Sequence, residues 1–231
     1  MAHHVNTRIE RPMIPGPVGA LEALFEWPSQ QDASAAALVC HPHPLYGGTM
    51  HNKVVYRAAK AAIEAGLPTL RFNFRGVGKS IGTYGDGPGE REDVRAALDY
   101  LEARFPGLPI CLLGFSFGAW VGLQVGASDP RVRVLVGLGT PVGTSDMAFL
   151  RSITKPKLFV QGTRDEFGPR PELEALFNSL AEPKRLVWVE DADHFFTGKL
   201  ERMQAAVRAF LKEEVPGLAA RSELGPGDGG G

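Results

Sequence analysis

The chain has 231 residues, 44% of them apolar and 22% charged, with 25 Lys plus Arg against 26 Asp plus Glu for a formal net charge of −1. A chain of this length builds a core without disulfide or metal staples, and its near-neutrality argues against a basic nucleic-acid footprint or a polybasic membrane patch.

Residues 6–26 lack helical periodicity and predict one or two antiparallel edge strands. Residues 36–40 (AALVC) read as a buried strand stopping at His41-Pro42, and residues 52–65 as a helix that Gly66 ends. A strand over 67–74 leads into a glycine-rich stretch reaching Gly89, then a helix over 90–105 closed by Pro106-Gly107. Strand 110–114, helix 119–125, strands 132–138 and 157–161, helix 171–180, strand 186–189 and helix 200–213 complete the alternation. Apolar strands alternating with amphipathic helices predict a mostly parallel central sheet with helices on both faces. The longest connection, 141–156, is too short for a cap domain, so residues 1–215 read as one α/β domain. Residues 216–231 end in Gly225-Pro226-Gly227-Asp228-Gly229-Gly230-Gly231 and read as a disordered tail. The 28 Gly and 18 Pro are otherwise punctuation between these segments.

Cys40 and Cys111 lie inside apolar runs and read as buried free thiols. No apolar run nears the ~18 residues of a membrane span and no signal peptide is visible, so a cytoplasmic location without membrane association is the expectation.

In an open α/β sheet ligands bind beyond the carboxyl ends of the strands. Gly114-Phe115-Ser116-Phe117-Gly118 stands there, between a strand and a helix, which is the context of a nucleophile elbow. The flanking glycines let backbone pass close by, and the free N–H groups of the following helix favour a developing oxyanion. A serine hydroxyl needs a base, and the base needs an orienting acid. His194 follows strand 186–189 and Asp165 follows strand 157–161, giving the chain order Ser, Asp, His. Glu166 is the closer rival for the acid; Asp191 and Asp193 sit too near His194 in sequence.

The segments CHPHPLYGGTMHNKVV, FNFRGVGKS, GFSFG, QGTRDEF and DADHFF resemble the α/β-hydrolase superfamily, and within it the small lidless bacterial members related to dienelactone hydrolases. The resemblance spans residues 38–210. It implies the α/β-hydrolase fold, no metal or organic cofactor, and an oxyanion hole made by one backbone N–H after the nucleophile and one from the loop after the 36–40 strand. Phe117 is then one donor. Pro42 and Pro44 have no N–H, so His43 is the other, with Leu45 in reserve. The His41 and His43 side chains are expected to orient this loop. Dienelactone hydrolases carry cysteine in the elbow; Ser116 here points to an esterase instead.

The resulting expectation is a carboxylesterase-type serine hydrolase acting on a small-molecule ester, with Ser116, His194 and Asp165 as the triad. Thioesterase, lactonase and peptidase activities share that scaffold. Phe115, Phe117, Trp120, Phe195 and Phe196 suggest an apolar acyl pocket, with Leu45, Phe115, Phe195 and Phe196 taken as substrate contacts. Two other motifs compete. Gly78-Lys79-Ser80 resembles the end of a phosphate loop, but Asn73 stands where its first glycine belongs. His41-Pro42-His43 resembles a metal pair of barrel enzymes, which leaves the serine elbow unexplained. A non-catalytic binding protein on the same fold is the reading from another class. Oligomeric state is left open.

Overall fold

The computed structural model describes residues 7–28 and 33–223, with side chains as far as Pro216. The helix-free N-terminal stretch forms three strands, β1 (Thr7–Glu10), β2 (Met13–Ile14) and β3 (Leu21–Pro28). In β3, Leu21, Ala23 and Phe25 alternate into the core while Glu22 and Glu26 stay partly exposed. Then follow β4 (Ala36–Cys40), α1 (Lys53–Glu64), β5 (Thr69–Phe72), α2 (Pro88–Arg104), β6 (Ile110–Phe115), α3 (Phe117–Ser128), β7 (Val132–Leu138), β8 (Lys157–Gly162), α4 (Arg170–Ser179), β9 (Lys184–Val189) and α5 (Leu200–Glu223).

The strand order is β1-β3-β5-β4-β6-β7-β8-β9, with β2 paired to β3. All pairings from β5 to β9 are parallel, and β3 is antiparallel to both β1 and β5. Of the N-terminal strands β1 therefore ends the sheet, as β9 does on the other side, and β2 pairs with β3 alone. β3 is an interior strand, a role that the expectation of one or two edge strands did not include.

The pleat divides the core. Ala36, Leu38 and Cys40 of β4 join Val94, Leu98 and Leu101 of α2 and Val121 and Leu123 of α3 on one face. Ala37 and Val39 join Val54, Val55 and Ala58 of α1 and Met203, Val207 and Leu211 of α5 on the other. A strand buried on both sides reads as a near-continuous apolar run, as β4 and β6 do, and β7 departs from it only at exposed Arg133. Cys40 and Cys111 sit in this core as free thiols.

Local capping fixes the helix starts. The Asn52 side chain accepts the Val54 N–H at 2.9 Å to begin α1. Glu90 accepts the N–H groups of Gly85 and Gly87, so α2 begins at Pro88. The C-terminal helix passes the residue-216 boundary, since α5 runs through Pro216 to Glu223. The expected disordered tail therefore does not begin at 216, and its glycine-rich end, 224–231, lies outside the described residues. The 141–156 connection holds only a short 3-10 helix, Ala148–Leu150, packed through buried Met147 and Leu150. Among the described residues no helix is long and apolar enough to cross a membrane. The loops after β4, β6, β8 and β9 meet at one end of the sheet.

Candidate active site

Ser116 joins β6 directly to α3 with φ +54° and ψ −121°, a backbone state that costs a non-glycine residue ~1–3 kcal/mol. The surroundings hold it there. Its N–H donates to the Leu138 carbonyl at 3.0 Å. A Cβ on Gly118 would lie 2.5 Å from the carbonyl oxygens of both Cys40 and His41, and one on Gly114 would overlap the Gly118 carbonyl. The turn and the end of β4 thus pack backbone to backbone.

The Ser116 hydroxyl donates to His194 Nε2 at 2.9 Å. The His194 Nδ1–H donates to Asp165, 2.9 Å from Oδ2 and 3.0 Å from Oδ1. Both partners are buried, His194 at 5% and Asp165 at 4% exposure. Asp165 Oδ1 also accepts the N–H groups of Phe167 and Gly168 at 2.9 and 3.2 Å, and Oδ2 accepts from Gln161 Nε2 at 2.7 Å. An anion so saturated with donors holds one orientation. Gln161 is itself fixed, because its Oε1 accepts the Thr140 N–H at 2.7 Å. No sequence pattern singled out Gln161.

None of the rival acids pairs with His194 among the described residues. Glu166 is exposed, Asp191 pairs with Arg164, and Asp193 accepts the N–H groups of Phe195 and Thr197 within its own turn. Phe115 and Phe167 flank the His194 ring at centroid distances of 5.0 and 4.6 Å. Gly139, at φ +49°, lets the chain pass so near that a Cβ there would lie 3.2 Å from the imidazole.

The His41–Leu45 loop is held by its own histidines. Buried His41 accepts the Phe74 N–H on Nε2 at 3.0 Å and donates from Nδ1 to the Pro42 carbonyl at 2.6 Å. Both ring nitrogens are engaged with backbone, so this residue has no lone pair left for a metal. Burial lowers its pKa to about 4. His43 accepts the Leu45 N–H on Nδ1 at 3.2 Å, which leaves Nε2–H to donate to the Tyr84 hydroxyl at 3.1 Å. Leu45 is thereby removed as a donor for a ligand. The N–H groups of His43 and Phe117 have no protein acceptor among the described residues. From below, Asn73 Oδ1 accepts the Met50 N–H at 2.8 Å and Arg71 donates to the Met50 carbonyl at 3.1 Å. The 76–87 segment forms turns, and the next helix starts only at Pro88, so Gly78-Lys79-Ser80 does not open a helix as a phosphate loop requires.

Ser116 and His194 open onto a cleft of about 590 Å³. Tyr46, Tyr84 and Phe117 surround the His43 ring at centroid distances of 4.6–4.9 Å, and Trp120 stands 5.7 Å from Phe117. Phe167 and Phe195 line the side nearer His194. Of the four expected substrate contacts only Phe195 lines the cleft. Phe115 and Phe196 are fully buried core residues, because their positions face the second apolar cluster, and Leu45 is 65% exposed outside the lining. Tyr46, Tyr84 and Phe167 take their places. Tyr84 and Phe167 come from loops and Tyr46 from the single 3-10 turn Pro44–Tyr46, where no periodicity marks which way a side chain turns.

Residues 35–215 match the family described as "Alpha/beta hydrolase domain". An uncharacterized protein of Rickettsia prowazekii (strain Madrid E), RP471, is 38% identical over 205 residues, covering 85% of this chain and 86% of its own. The solved structure of an alpha-beta serine hydrolase homologue from Coxiella burnetii is 42% identical, with a TM-score of 0.82 over 87% of this chain and 96% of that one. XC6422 from Xanthomonas campestris, described as a serine hydrolase without lid, is 34% identical, with a TM-score of 0.83 over 90% and 95%.

Proposed function

This chain belongs to the alpha/beta hydrolase family, and on that footing we propose that it is a carboxylesterase-type serine hydrolase cleaving small esters through an acyl-enzyme intermediate. The observation that carries this reading is the unbroken hydrogen-bond relay from Ser116 through His194 to Asp165. His194 takes the Ser116 proton as Oγ attacks the ester carbonyl, and returns it to the leaving alcohol. Water, activated by the same imidazole, then releases the acid and restores the serine. Asp165 holds the Nδ1–H tautomer and balances the imidazolium. The His43 and Phe117 N–H groups are the donors for the tetrahedral oxyanion, and the positive end of α3 adds to them.

The same carbonyl chemistry serves thioesters and lactones, and the open cleft suits small acyl groups. Turnover of a p-nitrophenyl ester series tests the reading. Ser116→Ala is expected to abolish it, and the wild-type rate to peak at short acyl chains. Turnover that survives Ser116→Ala contradicts the assignment. Asp165→Asn is expected to lower kcat by about 10⁴-fold, the size found when other triads lose this acid, while Glu166→Gln leaves it unchanged.

A further inference from the structure

The cleft has a charge character that narrows what it takes. Among the described residues its lining holds one carboxylate, Asp146 on the 141–156 connection, and no lysine or arginine. A second carboxylate stands behind the aromatic cluster. Glu90 is fully buried, fixed 2.8 Å from the N–H groups of Gly85 and Gly87, and close enough to act on the ionisation of both His43 and Tyr84. The Arg75 guanidinium, which also feels Glu90, is occupied by Asp93 through contacts of 2.7–3.1 Å. His43 brings no compensating cation, since burial holds its pKa below the ordinary value.

An anionic group entering here loses its water, gains no cation and meets the field of Asp146 and Glu90. A flat uncharged ring gains contact with Tyr84, Phe117 and Trp120, and a quaternary ammonium gains their π faces as well. Resting on the hydrolase reading above, we propose that this cleft selects aryl esters that are uncharged or cationic and turns away anionic ones, with Asp146 as a specificity-determining residue.

Three acetate esters of equal reach test this: 4-acetoxybenzamide, 4-acetoxybenzoate and (4-acetoxyphenyl)trimethylammonium, each kcat/KM divided by the hydroxide rate of the same ester. At low ionic strength the benzoate is expected about thirtyfold below the benzamide, and the ammonium ester at or above it. Asp146 Oδ1 accepts the Ala148 N–H at 2.8 Å, a bond that asparagine retains. Asp146→Asn is therefore expected to raise the benzoate-to-benzamide ratio about fivefold, and Asp146→Lys to raise it further. A wild-type ratio within about twofold of one, or a ratio that neither substitution moves, overturns the proposal. Tryptophan quenching in the Ser116→Ala protein, with Trp120 in the lining, separates the two readings. If 4-hydroxybenzamide binds and 4-hydroxybenzoate does not while the wild type turns over no ester, the hydrolase reading fails and the charge selection stands. Equal binding of both, or binding of neither, overturns the charge selection.

Discussion

Three side chains of the candidate site are joined by hydrogen bonds, and a fourth orients the carboxylate among them. Ser116, Asp165 and His194 were legible in the sequence because each follows a different apolar strand, and chain order with strand ends is enough to place them at one end of a parallel sheet. Gln161 was not. Its place in the site depends on Thr140, 21 residues away, orienting its amide so that Nε2 and not Oε1 meets Asp165. Replacing Gln161 with Met removes one of the donors on Asp165 and is expected to lower kcat about tenfold with KM unchanged. A loss confined to KM, or none, in steady-state kinetics contradicts this. Tyr84 was missed for a related reason. It reaches His43 only through the path of the 76–87 loop, which Gly76, Gly78, Gly82 and Gly87 trace at positive φ.

At the scale of elements, the parallel strands and most helices were legible from period and punctuation, because a strand covered on both faces is mostly apolar, with the few polar residues it buries, such as Lys157 and Gln161 of β8, hydrogen-bonded. Departures occur where tertiary contacts decide. β3 reads as an edge strand until β5 pairs with its second side. α3 starts at Phe117, two residues earlier than its composition suggests, because the elbow itself is the helix start. That junction is tight. Gly118→Ala would place a methyl 2.5 Å from two carbonyl oxygens of the β4 end, and is expected to cost ~2–4 kcal/mol and lower the thermal midpoint. An unchanged midpoint in calorimetry contradicts the packing described.

For the whole molecule, one buried histidine couples folding to pH. His41 lies in the fold with a pKa of about 4 against an ordinary 6.5. The folded state thus binds this proton less tightly than the unfolded chain. Its neutral form contributes fully above pH ~6.5, and stability falls as the pH drops toward 4, by roughly 3 kcal/mol in all. Urea midpoints across that range are expected to decline. An NMR titration in which His41 protonates near 6.5 contradicts the account. Protonation would also remove the bond from the Phe74 N–H, loosening the loop that carries His43.

The proposed activity rests on Ser116 being the nucleophile, and the most direct measurement is fluorophosphonate labelling read by peptide mass mapping. The expected result is a single adduct, on the peptide carrying Ser116, with labelling lost in His194→Ala. No adduct, or an adduct on another residue, contradicts it.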